Sequence, residues 1–537
     1  MNAAFENISI VIRQAIERTI EQETRAGKRA TPDTINEALY NDQVQRIANK
    51  AAAEGREITP DEQAAVKDRD HYRDAINDFY NAFFYKGTDG SGKVLLHSTV
   101  VRDVVADYIS EHYPYIIIDG LFYIYENGYY IRDTKDNAKI SLFINNLIRP
   151  EYQSRNRTAE VITALRTPDH IISPAEISQK TNCHELHYIC FRNGVYDPKE
   201  QKMLPHDPKY RFLNQIPRDY DPKSDPAGDA VESFFQSANI AAENRTMLLT
   251  YIGLCLTTDT RLQKMLVLKG RPGTGKSQLL NLIKYIVGEQ NCASEPLEAL
   301  NENRFRAYNV LGKLCNINAD LTTEGSIDPA VIKQLIGEDT LPVERKGVDA
   351  ISITPYAKHL FSMNNYPVIK AKDASFYRRV MILPVDTIPA KTDQMLQEKL
   401  RSQADYLLRL AVMHLEAYYA TPSDERGYIE SPDSKRLVQE WRYTGDSVSA
   451  FLAEEKPFQN AQKIKRETLF KSYSEYCDRE GREPLKSSTR FYNAMKAEGY
   501  IENKTSINGE TGVYCFFDPH QKEPGFKTAE KDETPFG

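Results

Sequence analysis

The sequence predicts an α/β protein: a core in which short apolar strands alternate with helices over 231–390, preceded by a helical and then a β-rich region and followed by a small helical domain closed by a hairpin. Three observations predict it. Residues 231–390 alternate apolar runs of strand length with helical stretches, the pattern of helices packed on a sheet. A glycine-rich loop, GRPGTGKS (270–277), stands between the apolar strand MLVLK (265–269) and the helical stretch QLLNLIKYIV. Residues 447–517 run helix, helix, helix, hairpin through SVSAFLAEE, KIKRETLFKSYSEYCDREG, SSTRFYNAMKAEGYI and GETGVYCFF.

In chain order, residues 1–87 read as a helical region. Thr31-Pro32-Asp33 and Thr59-Pro60-Asp61-Glu62 each put a hydroxyl at an N-cap and proline at the first helical position. TDGSGK (88–93) reads as a turn or linker opening a β-rich α+β region over 88–230. There YPYIIIDGLFYIYENGYYI (113–131) is a meander with turns at Asp119-Gly120 and Asn127-Gly128, and FRNGVYDPKEQKMLPHDP (191–208) a hairpin turning at Asn193-Gly194. DYDPKSDPAGDA (219–230) marks the boundary to the core. Residues 391–445 read as a helical lid and linker, where Thr392-Asp393 opens a long amphipathic helix through Leu396, Leu400, Leu407, Leu408, Val412 and Leu415. The C-terminal domain spans 446–518, and 519–537 is a polar, disordered tail.

Composition narrows the function. A chain of 537 residues, 41% hydrophobic and 10% aromatic, supports several cored domains rather than disorder. Seven scattered cysteines give no disulfide framework and fit a reducing compartment. MNAAFENISIVIRQAIE is no signal peptide, and no run approaches the roughly 20 apolar residues that span a bilayer, so a soluble protein is expected. The net charge of −7 argues against a simple DNA-coating protein but leaves room for local basic surfaces.

The loop GRPGTGKS carries the clearest chemistry. Glycines let backbone N–H groups close around phosphate, and the following helix N-terminus adds partial positive charge. Gly270, Gly273, Thr274, Gly275, Lys276, Ser277 and Gln278 form the candidate nucleotide-holding set, with Lys276 reaching the β- and γ-phosphates and Ser277 holding Mg²⁺. Asp320 ends the next strand-like segment, KLCNINADL, and is either a metal-positioning acid or a turn cap; Glu324 is a further candidate base. HLFSMNNYPVI (359–369) ends a strand at Asn364, whose amide can orient an attacking water, although Asn-Asn-x-Pro is also an ordinary turn. Arg378 and Arg379 precede the strand VMIL and can either stabilise charge on a neighbour's γ-phosphate or form surface ion pairs.

As an ordered set these segments resemble superfamily 3 helicases, and more closely the C-terminal half of phage/plasmid primase-helicases, a group that includes the poxvirus primase-helicase. The likeness covers about 100–518 and rests on IDGLFYIYENGYY, FRNGVYDPKEQKMLPHDP, GRPGTGKS, LGKLCNINADL, IKQLIGEDTLPVERKG, HLFSMNNYP and FYRRVMILPV. The resemblance implies an AAA+ P-loop core preceded by a collar, assembled as a hexameric ring. The implied activity is that of an ATP- and Mg²⁺-dependent replicative helicase of a phage, plasmid or mobile element, moving on single-stranded DNA in a bacterial cytoplasm. It gives Asp320 the Walker B role, Asn364 that of sensor 1, and Arg379 that of the trans-acting finger, with Arg378 the alternative. The family often carries a polar or acidic residue just before the Walker B acid; Ala319 stands there, which leaves the catalytic base open. An active site completed by a neighbour's arginine needs a head-to-tail interface, and such interfaces close into rings.

In the family, 331–355 forms a loop and hairpin facing the pore. That makes Arg345, Lys346 and Lys333 candidates for gripping single-strand phosphates, where an isolated ERKG is otherwise a solvated turn. The C-terminal domain has winged-helix order, with Lys486, Arg490, Lys496 and Lys504 placed for duplex or origin DNA, or else serves protein contacts. Cys183-His184, His187 and Cys190 are too close in a strand-like stretch to converge on zinc. Residues 1–230 show neither a CxxC ribbon nor a paired-acid core, so priming is expected from a separate primase or polymerase partner. Two rivals stand beside the helicase: an AAA+ origin-binding initiator that remodels without processive unwinding, and a small-molecule P-loop kinase indifferent to DNA.

Overall fold

The computed structural model describes residues 8–518 except 69, 89–93, 101, 135, 175–185, 303, 320, 322–325, 328, 338–339, 346–347, 370–373, 390–392, 423–428, 445, 481–483 and 508. The N-terminal helices are Ile10–Arg25, Pro32–Ala53, Pro60–Lys67 and Arg73–Asn81. Thr31 and Thr59 cap the second and third, each with proline in the first turn and a reciprocal capping box. Strand Phe84–Thr88 pairs antiparallel with Val94–Val100, so the expected division at 87/88 falls inside a hairpin. One apolar core joins Ile16, Ile20 and Ile35 to Tyr108, Phe122, Phe143 and Val161.

The meander forms from Tyr115–Ile118, Leu121–Glu126 and Tyr129–Arg132. Its two turns have φ of 50° and 71° at Asp119 and Gly120, and 54° and 98° at Asn127 and Gly128, the paired left-handed conformations that match a two-residue turn to strand twist. The next hairpin turns one residue earlier than expected. Phe191 pairs with Gly194, leaving Arg192-Asn193 as the loop. Asn193 is pinned there by exchanging 3.0 Å hydrogen bonds with the Tyr220 backbone.

Core elements are labelled from residue 229. Helices α1 (Asp229–Ser237) and α2 (Ala242–Cys255) lead into strand β1 (Met265–Lys269), followed by α3 (Lys276–Val287). Strands β2 (Cys292–Ala293), β3 (Cys315–Asn318), β4 (Lys358–Met363) and β5 (Val380–Pro384) complete a parallel sheet of order β2-β3-β4-β1-β5. Alternate residues feed two cores. Leu266, Leu268, Leu360 and Leu383 face α2 and α3, whereas Val267, Phe361 and Ile382 pack with Ile332, Val343 and Trp441 on the other side. A parallel sheet covered on both faces explains why β1 and β5 read as nearly unbroken apolar runs.

His359 lies fully inside this sheet, and burial followed by the Lys358 charge lowers its pKa to about 4. A folded-state pKa below the unfolded one means the unfolded chain binds more protons between about pH 6.5 and 4, so stability falls as pH drops through that window. The contribution is about 3 kcal/mol. Thermal midpoints measured from pH 7 to pH 4.5 should fall, and His359→Gln should flatten that slope; an unchanged slope would refute the assignment.

The long helix expected from Thr392-Asp393 is two helices, α4 (Leu396–Ser402) and α5 (Ala404–Ala420), broken at Gln403. Gln403 turns its side chain to α1, its Oε1 accepting from the Ala230 amide at 2.7 Å. Helix Pro432–Thr444 packs Trp441 against the core, and the indole N–H donates to Pro367 O at 2.9 Å. The C-terminal domain has helices Ser447–Glu455, Arg466–Glu480 and Ser488–Ala497, then a hairpin of Ile501–Ile507 and Glu510–Phe517. A short strand, Lys463–Lys465, pairs with the hairpin's second strand. Among the described residues no helix is long and apolar enough to cross a membrane.

Candidate nucleotide-binding site

A cavity of about 990 Å³ opens where β1 and β4 end, large enough for a nucleotide. The loop after β1 enters it through a space only glycine fits. The Gly270 N–H donates to Met363 O at 3.2 Å, and a Cβ on Gly270 would lie 1.9 Å from Val385 O. Gly275 has φ +94°, which L side chains rarely adopt, and a Cβ there would meet Phe234 at 2.9 Å. Gly273, Thr274, Gly275, Lys276, Ser277 and Gln278 all line the cavity.

Lys276 opens α3 and is only 7% exposed. Its Nζ donates to Gly270 O at 2.6 Å, Arg271 O at 2.8 Å and Asn364 Oδ1 at 3.1 Å. Burial pushes its pKa below the usual lysine range. Asn364, at the tip of β4, therefore stands beside the loop lysine, and both face the cavity. β4 lies between β1 and β3, so the acid-ended strand is one strand removed from the loop strand rather than beside it. Asp320 and Glu324 lie outside the described residues. The residues flanking Asp320 are tied to β4: Ser362 Oγ donates to Ala319 O, and the Leu321 N–H donates to Ser362 O at 2.8 Å. Ala319 itself lines the cavity.

The opposite walls were not legible in the sequence, because they come from segments without a motif. Asp229, Ser233 and Phe234 line one side from α1; Asp393, Leu396 and Lys399 line the other. Lys399 Nζ donates to Asp393 Oδ2 at 2.7 Å.

Arg378 and Arg379 sit at the other end of the sheet. Val380 pairs with Met265, the first residue of β1, so four steps of strand, about 13 Å, separate Val380 from the level of Lys269, and Arg378 and Arg379 lie in the turn before it. Neither arginine lines the cavity of its own chain. Arg379 is buried, at 8% exposure, whereas Arg378 is exposed. The carbonyl of Arg378 accepts from Lys264 Nζ, which also pairs with Glu430.

The basic segment is a hairpin of Leu341–Arg345 and Val348–Ile353, with its base anchored by buried Leu341, Val343 and Ile353. The pairing of Arg345 with Val348 leaves two residues between the strands. Lys346 and the side chain of Arg345 lie outside the described residues. Lys333 is half-buried on the helix Pro329–Ile336. In the C-terminal domain Lys486 and Arg490 are exposed at the start of helix Ser488–Ala497. Lys496 is engaged by Glu502 at 2.6 Å, and Lys504 lies 5.7 Å from the Tyr514 ring. Cys183 and His184 lie outside the described residues; His187 pairs with Asp197 at 3.2 Å, and Cys190 is buried against Gly128 O. Among the described residues no group of His, Cys, Asp or Glu is arranged to hold a metal.

Two family models match the chain: a D5 N terminal-like family over 103–239, and a family of unknown function (DUF5906) over 268–379, which contains the glycine-rich loop, Asn364 and Arg378. Among curated proteins the chain is similar to the putative helicase L207/L206 of Acanthamoeba polyphaga mimivirus, at 24% identity over 38% of this chain and 22% of that protein. It is also similar to the putative helicase V13 of Sputnik virophage, at 21% identity over 47% of this chain and 32% of that protein. The matched stretches thus span a third or less of those relatives. Among solved structures the NrS-1 C-terminal region aligns at 13% identity with a TM-score of 0.44, over 76% of this chain and 97% of that one.

Proposed function

We propose that the chain is the motor of a viral or phage-type DNA helicase: a nucleotide-hydrolysing AAA+ core that works as a ring of copies and moves along single-stranded DNA. The observation that carries this reading is the juxtaposition of Lys276 with Asn364 in a nucleotide-sized cleft, while the exposed Arg378 stands on the far edge of the same sheet. A lysine beside a strand-tip amide suits a γ-phosphate and its attacking water. An arginine that cannot reach its own cleft suits a neighbour's. Helicase-named viral relatives and the D5 N terminal-like match support the same class.

In this reading ATP enters with its phosphates in the loop 270–277. Ser277 and Asp320 would hold Mg²⁺, which would neutralise phosphate charge. Lys276 steadies the β- and γ-phosphates, and Asn364 orients water toward the γ-phosphorus. The walls from α1 and α4 enclose the nucleoside. A DNA-stimulated ATPase assay coupled to strand displacement tests the proposal, and a chain that displaces no strand at any Mg·ATP concentration is not this helicase.

The hairpin 341–353 is the proposed DNA grip. Replacing both Arg345 and Lys346 by alanine should reduce DNA stimulation of ATP turnover about tenfold, roughly the loss of 1.4 kcal/mol of phosphate contact. Turnover without DNA should stay within twofold. Equal loss of both rates would contradict a role in the pore. The exposed Lys486 and Arg490 favour a second reading, an origin-binding initiator. Deleting 446–518 would then remove all DNA affinity, whereas the ring helicase keeps its single-strand binding.

A further inference from the structure

A head-to-tail ring must join the cleft edge of one copy to the Arg378 edge of the next, and each edge carries an apolar feature that the fold of one chain does not use. On the cleft edge, Ile388 is 51% exposed between Thr387 and Pro389, which both line the nucleotide cavity. Met395 is also 51% exposed, next to the cavity-lining Leu396. Few large hydrophobic side chains are this exposed among the described residues, and these two flank one opening.

On the other edge is a second cavity, of about 400 Å³, between α2, α5 and the segment 429–432. Thr246, Ala417, Tyr418 and Ile429 line it, together with the polar Glu243, His414 and Glu430. Met413, 45% exposed, lies one turn before Ala417 on α5 and extends the apolar rim. The cavity is fixed to the Arg378 edge by one side chain. Lys264 Nζ binds both the Arg378 carbonyl and the carboxylate of Glu430, and Glu430 lines the cavity.

We propose that Ile388 and Met395 of one copy seat in the Thr246–Ala417–Ile429 cavity of the next, and that this contact sets Arg378 opposite the neighbour's nucleotide. The inference rests on the ring reading above and names its interface. Apolar anchors in a complementary pocket dominate the energy of such contacts, with the remaining area excluding water. The contact is heterologous, since knob and pocket lie on different faces, so it propagates around a ring instead of pairing two copies.

A cysteine pair tests it directly in the full chain. Ile388→Cys combined with Ala417→Cys alters two surface positions, and the six cysteines among the described residues are buried. Under mild oxidation with Mg·ATP and DNA present, the double variant should give a covalent ladder of two, three and more copies, while neither single variant does. Ile388→Glu with Met395→Glu should shift the assembled mass to that of one chain with an unchanged melting temperature. Assembly at full mass without any ladder, and intact in the Glu variant, would overturn the interface while leaving the ring standing. A chain that never assembles would overturn both.

Discussion

Lys276→Ala is expected to lower ATP turnover by on the order of 100- to 1,000-fold, the range for removing one preorganised charge from a transition state. Strand displacement should vanish with it. The lysine is gripped by two loop carbonyls and Asn364, so it is already aimed at the space where phosphates would sit. Truncation takes away charge without opening the sheet below. The fold should therefore survive, and single-strand binding through the hairpin should stay within a few-fold of the parent. The single tryptophan supplies a binding assay, since Trp441 hydrogen-bonds Pro367, three residues beyond Asn364. Nucleotide that engages Asn364 should change its fluorescence in the parent chain and only at far higher concentration in Lys276→Ala. Turnover within tenfold of the parent would show that this loop is not the catalytic one.

Arg378→Ala should be nearly as severe, about 1,000-fold in kcat with little change in nucleotide affinity, as for a finger supplied in trans. Arg379→Ala should differ in kind. Its side chain is buried where β5 begins, so its loss should lower the melting temperature, with turnover per folded chain falling less. The contrast between neighbouring residues makes the assignment sharp. If Arg379→Ala removes turnover from a stable protein and Arg378→Ala does not, the exposed residue is not the finger.

Much of the architecture could be read from short-range chemistry. The capping boxes at Thr31 and Thr59 and the turns at Asp119-Gly120 and Asn127-Gly128 follow from local hydrogen bonds and backbone freedom, which a sequence states explicitly. The glycine-rich loop is legible for the same reason. Where tertiary contacts decide, the sequence misleads. The hairpin near 193 turns early because Asn193 is bound by Tyr220, 27 residues away. The helix after 392 breaks at Gln403, whose amide is recruited to the end of α1, a partner no periodicity reveals. Residues 88–93, readable as a turn or a linker, join two paired strands, so the division placed at 87/88 falls inside a hairpin, since polarity alone does not separate a hairpin loop from a domain boundary.

The site divides along the same line. The loop and Asn364 are motif residues and come together across adjacent strands. Asp229, Phe234 and Lys399 reach the cleft from helices that only the folded chain brings close. Arg378 and Arg379 differ in burial, which the sequence does not show. Both precede the same apolar strand, and which one faces outward depends on how the chain enters β5.

If hydrolysis happens at a seam between copies, turnover requires assembly. Turnover per chain and particle mass, measured on the same samples along a dilution series with saturating Mg·ATP and DNA, test it together. Turnover per chain should fall to near zero as assemblies dissociate into single chains, tracking the mass transition. Single chains hydrolysing ATP at the undiluted rate would contradict it.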